Sequence, residues 1–226
     1  MDPRLRTAID SSLHWYEAVF SLHGIATALE GGIWWALDHP PRWHSAAKTI
    51  ERTATKQGVL LAVEQFEHCS VADSFGSLDL SDEGFDLLFE ANWLHHRPLP
   101  EARSALPRGW SKLWTQEELE GWNAEHDTSD VLLPSILRDQ SFEILSHCED
   151  GVLIGGAVLH DWGGQGIGMS NEWVVAGREL EVEALLACVS NLHEGRAVVG
   201  YAWGHDLDSH VAAGFSPLGP HLVWTR

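Results

Sequence analysis

The sequence has little basic charge, and this shortage excludes whole classes of partner. Of its 226 residues, 14 are Lys or Arg and 33 are Asp or Glu, which gives a formal net charge of −19. Only three lysines occur (Lys48, Lys56 and Lys112), and they form no basic run. A protein that follows nucleic-acid phosphates or binds an anionic membrane surface needs clustered cations. We therefore expect neither nucleic acid nor a membrane as a partner.

Cysteine and long apolar runs are also scarce. Cys69, Cys148 and Cys188 lie far apart and form no CxxC pair, which is typical of proteins from a reducing compartment. No stretch approaches the roughly 18 apolar residues of a membrane-spanning helix. The N-terminal stretch is charged and amphipathic and lacks the apolar core of a signal peptide. These features predict a cytoplasmic protein.

Motifs for several common chemistries are missing as well. No HExxH zinc motif, GxSxG nucleophile elbow or Walker loop occurs. The fourteen histidines include adjacent pairs such as His95-His96, whose side chains diverge on a strand, so we expect no metal. The twelve tryptophans are interpreted as core or interface anchors, with a ligand cage as the alternative.

The sequence does contain the short helix and strand patterns of an α/β (α+β) protein. Ile9, Leu13, Tyr16 and Phe20 share one face of a helix over roughly residues 5–22. Thr115 and Glu118 form a capping box that begins another helix. The patterns further predict hairpins at Gly31 and Gly151, a strand pair over 85–93, strands over 45–50, 70–75, 110–114, 168–175, 197–201 and 221–225, and helices over 56–68, 180–192 and 206–213.

This order of elements occurs twice, which indicates a duplicated fold. The offset between matching positions rises from 120 residues (151 − 31) to 131 residues (224 − 93), as loop insertions would make it. The matching positions are Gly31 and Gly151, Gly84-Phe85 and Gly214-Phe215, and Trp93 and Trp224. Chance agreement between two α/β stretches is the alternative. Residues 97–108 hold three prolines and predict a linker, so the expected halves are 1–96 and 109–226.

From residue 109 onward, the element order and the tail resemble the GNAT acyltransferase superfamily. The segment Ala212-Ala213-Gly214-Phe215, with the closing Val223-Trp224, is similar to the last helix, Gly-Phe turn and final hairpin of that superfamily. A shortened echo covers roughly residues 5–96. The resemblance implies a tandem GNAT-like fold with a mixed central sheet flanked by helices, a truncated N-terminal half and a fuller C-terminal half.

The resemblance also implies a co-substrate, acetyl-CoA or another acyl-CoA, bound where two central parallel strands separate. The backbone of the fourth strand, at Trp173, Val174 and Val175, would pair with the pantetheine arm. Gly177 and Arg178 in the next loop would hold the pyrophosphate at a helix N-terminus, where free N–H groups and the helix dipole attract anions.

That loop departs from the family pattern. It has one glycine and is followed by Glu179, Glu181 and Glu183, whose carboxylates repel a pyrophosphate. Another glycine-rich string, 164–168, is interpreted as a hairpin turn, with a phosphate cradle as the alternative.

Three residues are catalytic candidates on the same resemblance. Glu172 on the fourth strand would be the base that takes a proton from the amine, and a solvent-facing carboxylate is the alternative. His210 occupies the position where the family often places a Tyr that protonates the leaving thiolate. Tyr201 is the second candidate for that acid. The alternative to a catalytic role is a surface position for His210 and packing in the core for Tyr201.

The region that lines the acceptor pocket in the family corresponds to His126 and Asp127, where Asp127 would pair with a cationic amine that the acidic chain attracts, and a solvated loop is the alternative. Asn171 would orient the acceptor, with an ordinary strand residue as the alternative. Two hypotheses follow. The first is an acyltransferase that moves an acyl group from acyl-CoA to a small amine. The second is a catalytically inactive binding or assembly module that does not bind CoA. A homodimer stays open under either hypothesis.

Overall fold

The computed structural model describes residues 1–99 and 105–226. Residues 100–104 of the expected linker lie outside this description. Five α-helices and eleven strands are formed within it. The helices are α1 (Pro3–Leu22), α2 (Lys56–Ala62), α3 (Gln116–His126), α4 (Val182–Leu192) and α5 (Gly204–Ala212). The strands are β1 (Thr27–Glu30), β2 (Ile33–Ala36), β3 (Ala47–Thr49), β4 (Ser70–Asp73), β5 (Asp86–His96), β6 (Trp110–Lys112), β7 (Phe142–Glu149), β8 (Val152–His160), β9 (Gly166–Val174), β10 (Ala197–Ala202) and β11 (Ser216–Thr225). Short 3₁₀ helices lie at Ser81–Glu83 and Pro134–Arg138.

Local sequence signals set where the helices begin. At α1, the Asp2 side chain accepts a hydrogen bond from the Arg4 backbone N–H, and Pro3 occupies the first helical position. At α3, the Thr115 hydroxyl accepts from the Glu118 N–H while the Glu118 carboxylate accepts from the Thr115 N–H. This reciprocal pair is the predicted capping box, which is confirmed.

All eleven strands belong to one sheet, in the order β1-β2-β3-β4-β11-β5-β10-β9-β8-β7-β6. The pairs β3–β4 and β9–β10 are parallel, and the other pairs are antiparallel. The predicted mixed sheet flanked by helices is therefore confirmed. None of the helices within the described ranges combines the length and the apolar character that crossing a bilayer requires.

The closing strand of each half lies beside the other half. β5 pairs with β10 and β11 pairs with β4, and these two exchanged strands pair with each other at the centre of the sheet. Gly84 and Gly214, which precede them, both have the positive φ that their turn requires. The repeat is thus built into one continuous sheet, and the limits 1–96 and 109–226 stay a prediction.

Predictions for the closing strands were wrong in two respects. The expected strand pair over 85–93 is the single strand β5, and the expected final hairpin is the single strand β11. Each strand finds a partner on both sides, β5 between β10 and β11 and β11 between β4 and β5. Because both edges are satisfied in this way, neither strand has to fold back on itself. The predicted helix 56–68 is also shorter and ends at Ala62.

Helix α1 buries two faces against different parts of the sheet. Ile9 and Phe20 pack with the N-terminal strands, whereas Trp15 and Val19 pack with α3, β7 and β8 of the C-terminal half. The approach to β9 is close: a Cβ at Gly168 would lie 2.4 Å from the Ser11 hydroxyl, so a larger residue there would force the Ser11 side chain to move. A helix of the N-terminal half is therefore fixed over the strands of the C-terminal half.

Candidate active site

The site begins where β9 and β10 separate. The two strands pair from Gly166 with Ala197 to Gly168 with Val199, and their register stops there. Further along β9, Asn171 has φ +51, and Asn171 and Glu172 together oppose the single residue Ala157 of β8. This two-to-one register is a β-bulge. Beyond Gly168, β10 no longer pairs with β9 within the described residues, which makes that edge of β9 a candidate partner for an extended ligand.

A cavity of about 460 Å³ lies between this divergence, α1 and the start of α5. Both halves of the chain line it. The N-terminal half contributes Ser11, Trp15, Tyr16, Trp43, His44, Phe89 and Trp93 among others, and the C-terminal half contributes His126, His160, Asn171, Glu172, Tyr201, Trp203, Asp206 and His210 among others. The volume lies in the range of roughly 300–1,000 Å³ that is usual for small-molecule sites.

Two of the predicted catalytic residues meet in this cavity. His210 Nε2, from α5, lies 2.9 Å from Glu172 Oε2, from β9. The other ring nitrogen, Nδ1, lies 2.7 Å from the carbonyl oxygen of Asp206, to which it donates a hydrogen bond. Burial is the largest single influence on His210, which is 2% exposed, and lowers its pKa, but the contacts with Glu172 and Asp206 together outweigh burial and the pKa is raised. The pair therefore favours an imidazolium beside a carboxylate.

The Glu172 carboxylate keeps acceptor capacity for a ligand. Its contact with His210 is close, yet Oε2 receives no well-aligned hydrogen bond from any residue in the described ranges. An ionised carboxylate has acceptor sites only. Oε2 is buried against His210, so a bound amine would reach this carboxylate through its other oxygen, Oε1.

Tyr201, the second candidate acid, lies at the other wall of the divergence. It pairs with Trp93 across the β10–β5 ladder, and the two rings meet edge to face at 5.7 Å. Although the residue is 37% exposed, burial of its hydroxyl, with a smaller contribution from Tyr16, raises the pKa of Tyr201. The phenol therefore keeps its proton at neutral pH, and the raised pKa makes it a weaker proton donor than an ordinary tyrosine.

The predicted acceptor residues are divided between the cavity and its rim. His126 and Asn171 line the cavity, and the His126 ring stacks on Trp173 at 5.7 Å. Burial lowers the pKa of His126, against an opposing contribution from Asn171. The Asp127 carboxylate binds the Arg42 guanidinium at 3.0 and 2.9 Å, and its side chain is 73% exposed. This carboxylate already has a cation and does not line the cavity.

The predicted donor-binding residues also divide into two groups. Trp173 and Val174 lie on the part of β9 that β10 has left, where backbone groups fit the amide-bearing arm of an acyl thioester. Val175 follows β9, and its N–H bonds to Ile154 on the β8 side. Gly177 and Arg178 lie in the loop before α4, where the Arg178 guanidinium is bound by Glu149 at the end of β7.

The N-terminus of α4 does not fit a diphosphate. The N–H groups of Val182 and Ala184 already bond to the carbonyls of Leu180 and Glu181, at 3.1 and 3.0 Å. Glu181 is the N-cap residue and, together with Glu179 and Glu183, is exposed around this helix end. Three carboxylates and occupied N–H donors oppose an anion where the family binds one. This helix end therefore does not suit the diphosphate end of acyl-CoA.

The corresponding divergence in the N-terminal half is filled by side chains. At the ends of β3 and β4, the Thr49 hydroxyl donates to Asp73 Oδ1 at 3.0 Å and accepts from the Ser74 N–H at 2.8 Å. The same carboxylate accepts from the N–H groups of Phe75, Ser77 and Leu78. This network occupies the place where the C-terminal half has its cavity.

The aromatic residues from the N-terminal half were missed as site residues by the sequence reasoning. Trp15, Trp43, Phe89 and Trp93 all line the cavity, although the tryptophans were interpreted as core or interface anchors. The available signal was the high tryptophan count, without any indication of position. Within residues 1–99 and 105–226, no group of three His, Cys, Asp or Glu side chains is arranged to hold a metal ion.

Comparison with solved structures identifies the fold. A GCN5-related N-acetyltransferase from Kribbella flavida is 14% identical and matches 95% of this chain and 94% of its own length with a TM-score of 0.64. A GCN5-related N-acetyltransferase-like protein from Streptococcus suis, also 14% identical, matches 100% of both chains with a TM-score of 0.58. A conserved protein of unknown function from Staphylococcus epidermidis, 12% identical, matches 88% of this chain and 92% of its own with a TM-score of 0.61. No protein-family model and no curated protein matches the sequence.

These similarities cover both halves of the chain. At such low identities they show the fold alone, which is the GNAT acyltransferase fold that the sequence resembles. The GNAT resemblance is therefore confirmed at the level of fold.

Proposed function

We propose that the protein is an N-acyltransferase that moves an acyl group from an acyl thioester, such as acyl-CoA, to a small primary amine. The observation that carries this proposal is the meeting of Glu172 and His210 at 2.9 Å. They come from different elements and meet beside the edge of β9 that β10 has left, where a thioester arm can pair with the backbone. The fold supports acyl transfer in general.

The proposed reaction forms a bond from the amine nitrogen to the acyl carbon and breaks the carbon–sulfur bond. The thioester, when bound, supplies the acyl group and the thiolate that leaves. An amine arrives as an ammonium and must lose a proton before it attacks, and the Glu172 carboxylate is the acceptor for that proton. The nitrogen loses a second proton as the amide forms. Tyr201 or His210 gives a proton to the leaving sulfur, and the second proton of the nitrogen restores that donor.

The replacement Glu172→Gln tests the assignment of the base. It keeps the shape of the side chain and removes its proton affinity, so kcat should fall by roughly 10²- to 10⁴-fold, the usual contribution of a general base. Thiol release from acetyl-CoA in the presence of an amine panel measures the rate. Glu90→Gln, an exposed carboxylate on β5, is the matched control and should keep wild-type activity. Full activity of Glu172→Gln, with unchanged melting temperature, would contradict the proposal.

A second candidate function rests on the carboxylates around α4. Because the diphosphate end of CoA meets Glu179, Glu181 and Glu183, the chain is also a candidate for a binding module that performs no acyl transfer. Thermal unfolding in the presence of acetyl-CoA separates the two functions. A ligand at about 100 times its Kd adds about 2.7 kcal/mol, or roughly 5–10 °C for a chain of this size. No shift and no turnover with any acyl thioester would favour the binding module.

A further inference from the structure

We infer that the amine acceptor is an arylalkylamine, with a primary ammonium at one end and a flat apolar ring at the other. We infer further that the N-terminal half provides most of the surface that recognises this ring. The inference rests on the proposed function, since it names the substrate class of the same cavity.

The cavity is walled by aromatic rings that pack on one another. Phe89 and Trp203 are stacked with their centroids 4.6 Å apart, and Trp203 is stacked with Tyr201 at 6.4 Å. Tyr201 in turn meets Trp93 edge to face. Trp203 remains 46% exposed at the mouth although it belongs to this stack. A partly exposed stack of rings at the mouth of a cavity offers a face on which another flat ring can pack.

The charges of the cavity favour a cation. Glu172 and Asp206 are among its lining residues, and none of the lining residues that the structure describes is Lys or Arg. Burial lowers the pKa values of His44 and His160 to about 4, so both are neutral at pH 7. The pKa of His210 is raised, and the positive charge of its imidazolium is paired with the carboxylate of Glu172. A primary ammonium therefore meets carboxylates and ring faces, both of which attract it.

Lys48 is a buried cation close to the cavity and would oppose the binding of an ammonium. Its Nζ lies 5.0 Å from the ring centroids of Tyr16 and Trp93, outside the residues that line the cavity. Burial lowers the pKa of Lys48 to about 7, so it carries only part of a charge at neutral pH. With His210 protonated beside Glu172, the two carboxylates and one imidazolium give the lining a net charge of −1, and Lys48 lies outside that lining.

The N-terminal half is positioned to select the ring. Trp15 and Tyr16 come from α1, and Phe89 and Trp93 come from the exchanged strand β5. At the rim, Arg42 binds the carboxylates of Asp127 and Asp130 and thereby joins the two halves. The next residue, Trp43, has φ +68, which is unusual for a bulky side chain, and its indole N–H donates to the Asp127 carbonyl at 3.3 Å. These contacts hold an N-terminal tryptophan over the C-terminal cavity.

The test compares 2-phenylethylamine with putrescine, a small amine that has no ring. We expect 2-phenylethylamine to bind with a Kd at least tenfold lower, measured by titration calorimetry without a thioester. Phe89→Leu and Trp203→Leu should each raise that Kd by roughly three- to tenfold, because each removes a ring contact and keeps an apolar side chain. Trp114→Leu is the matched control, since Trp114 is 72% exposed and lies outside the cavity lining, and it should leave the Kd unchanged.

If a variant does not fold, the comparison of 2-phenylethylamine with putrescine on the wild-type protein still tests the inference. Equal Kd values for the two amines, or preferential acylation of putrescine, would overturn the arylalkylamine assignment and leave acyl transfer intact. Saturable binding of 2-phenylethylamine without acylation of any amine from any thioester would overturn the proposed function and support the ligand class. Acylation of 2-phenylethylamine with a higher kcat/KM than putrescine supports both.

Discussion

Replacing Lys48 by methionine should remove a pH dependence of stability that this buried lysine creates. Lys48 lies on β3, is fully buried, and its ammonium has no hydrogen-bond partner within the described ranges. Its surroundings include the rings of Tyr16 and Trp93, each 5.0 Å away. Burial lowers the pKa of Lys48 from 10.5 to about 7, since the charged form loses its hydration. Methionine has a similar length and no charge.

The sign follows from proton binding. Between pH 7 and 10.5, the unfolded chain holds the Lys48 proton and the folded chain does not, so the wild type gains stability as the pH rises. Relative to Lys48→Met, the gain is at most about 1.4 kcal/mol per pH unit. Below pH 7 both states are protonated and the cost of the charge is constant. The product (10.5 − 7) × 1.36 gives a total of about 5 kcal/mol as an upper limit, which the two ring contacts reduce.

Urea denaturation at a series of pH values from 7 to 10, followed by tryptophan fluorescence, measures the effect. The difference in unfolding free energy between Lys48→Met and the wild type should be largest near pH 7 and should shrink towards pH 10. Other titrating groups cancel in this difference. Lys56→Met is the control, because Lys56 is partly exposed and pairs with Glu83 at 3.8 Å. A difference that stays constant from pH 7 to 10 would refute the reasoning.

Two further predictions concern the filled divergence of the N-terminal half and the acidic end of α4. Asp73→Ala should lower the free energy of unfolding by about 3 kcal/mol or more, because four buried donors lose the carboxylate that accepts from them. Chemical denaturation measures this loss, and a value below about 1 kcal/mol would contradict the prediction. Neutralising Glu179, Glu181 and Glu183 together with glutamine should lower the KM for acetyl-CoA several-fold, since each exposed charge contributes up to about 1 kcal/mol at contact distance in water. The same triple variant should leave the KM for a truncated thioester without a diphosphate unchanged, and equal effects on both donors would rule out the electrostatic explanation.

The sequence predicted those parts of the fold that local patterns determine. The capping box at Thr115, the hairpin at Gly151 and the Gly214-Phe215 turn each depend on a few neighbouring residues. The order of elements and its repetition followed from these local signals, and the resemblance to GNAT proteins supplied the sheet.

The exchange of closing strands was beyond the sequence reasoning. Nothing in the alternation of β5 or β11 indicates which distant strand lies beside it, because register among non-consecutive strands is set by the whole sheet. The burial of two faces of α1 also depends on the arrangement of the whole sheet. Ile9 and Phe20 gave the predicted stripe, whereas Trp15 is buried because the exchange brings α1 over β9 and β10.

The candidate site was predicted in part. Glu172 and His210 lie 38 residues apart (210 − 172) and were assigned separately, yet the structure brings them together at 2.9 Å. Arg178 and Asp127 were expected to face ligands, but each has a closer partner of opposite charge, Glu149 and Arg42 respectively. Such pairings join residues far apart in the chain and cannot be read from spacing.

The exchange of strands also explains why two similar halves contribute differently to one cavity. Because β5 must lie beside β10, Trp93 faces Tyr201 across the ladder, and Phe89 reaches Trp203. The N-terminal half thus places rings in the C-terminal divergence. On the other side, β11 of the C-terminal half pairs with β4 beside Asp73, whose hydrogen-bond network fills the space at the ends of β3 and β4. A duplicated chain with independent sheets would have two equivalent divergences, whereas this exchange makes one half the wall of the other half's site.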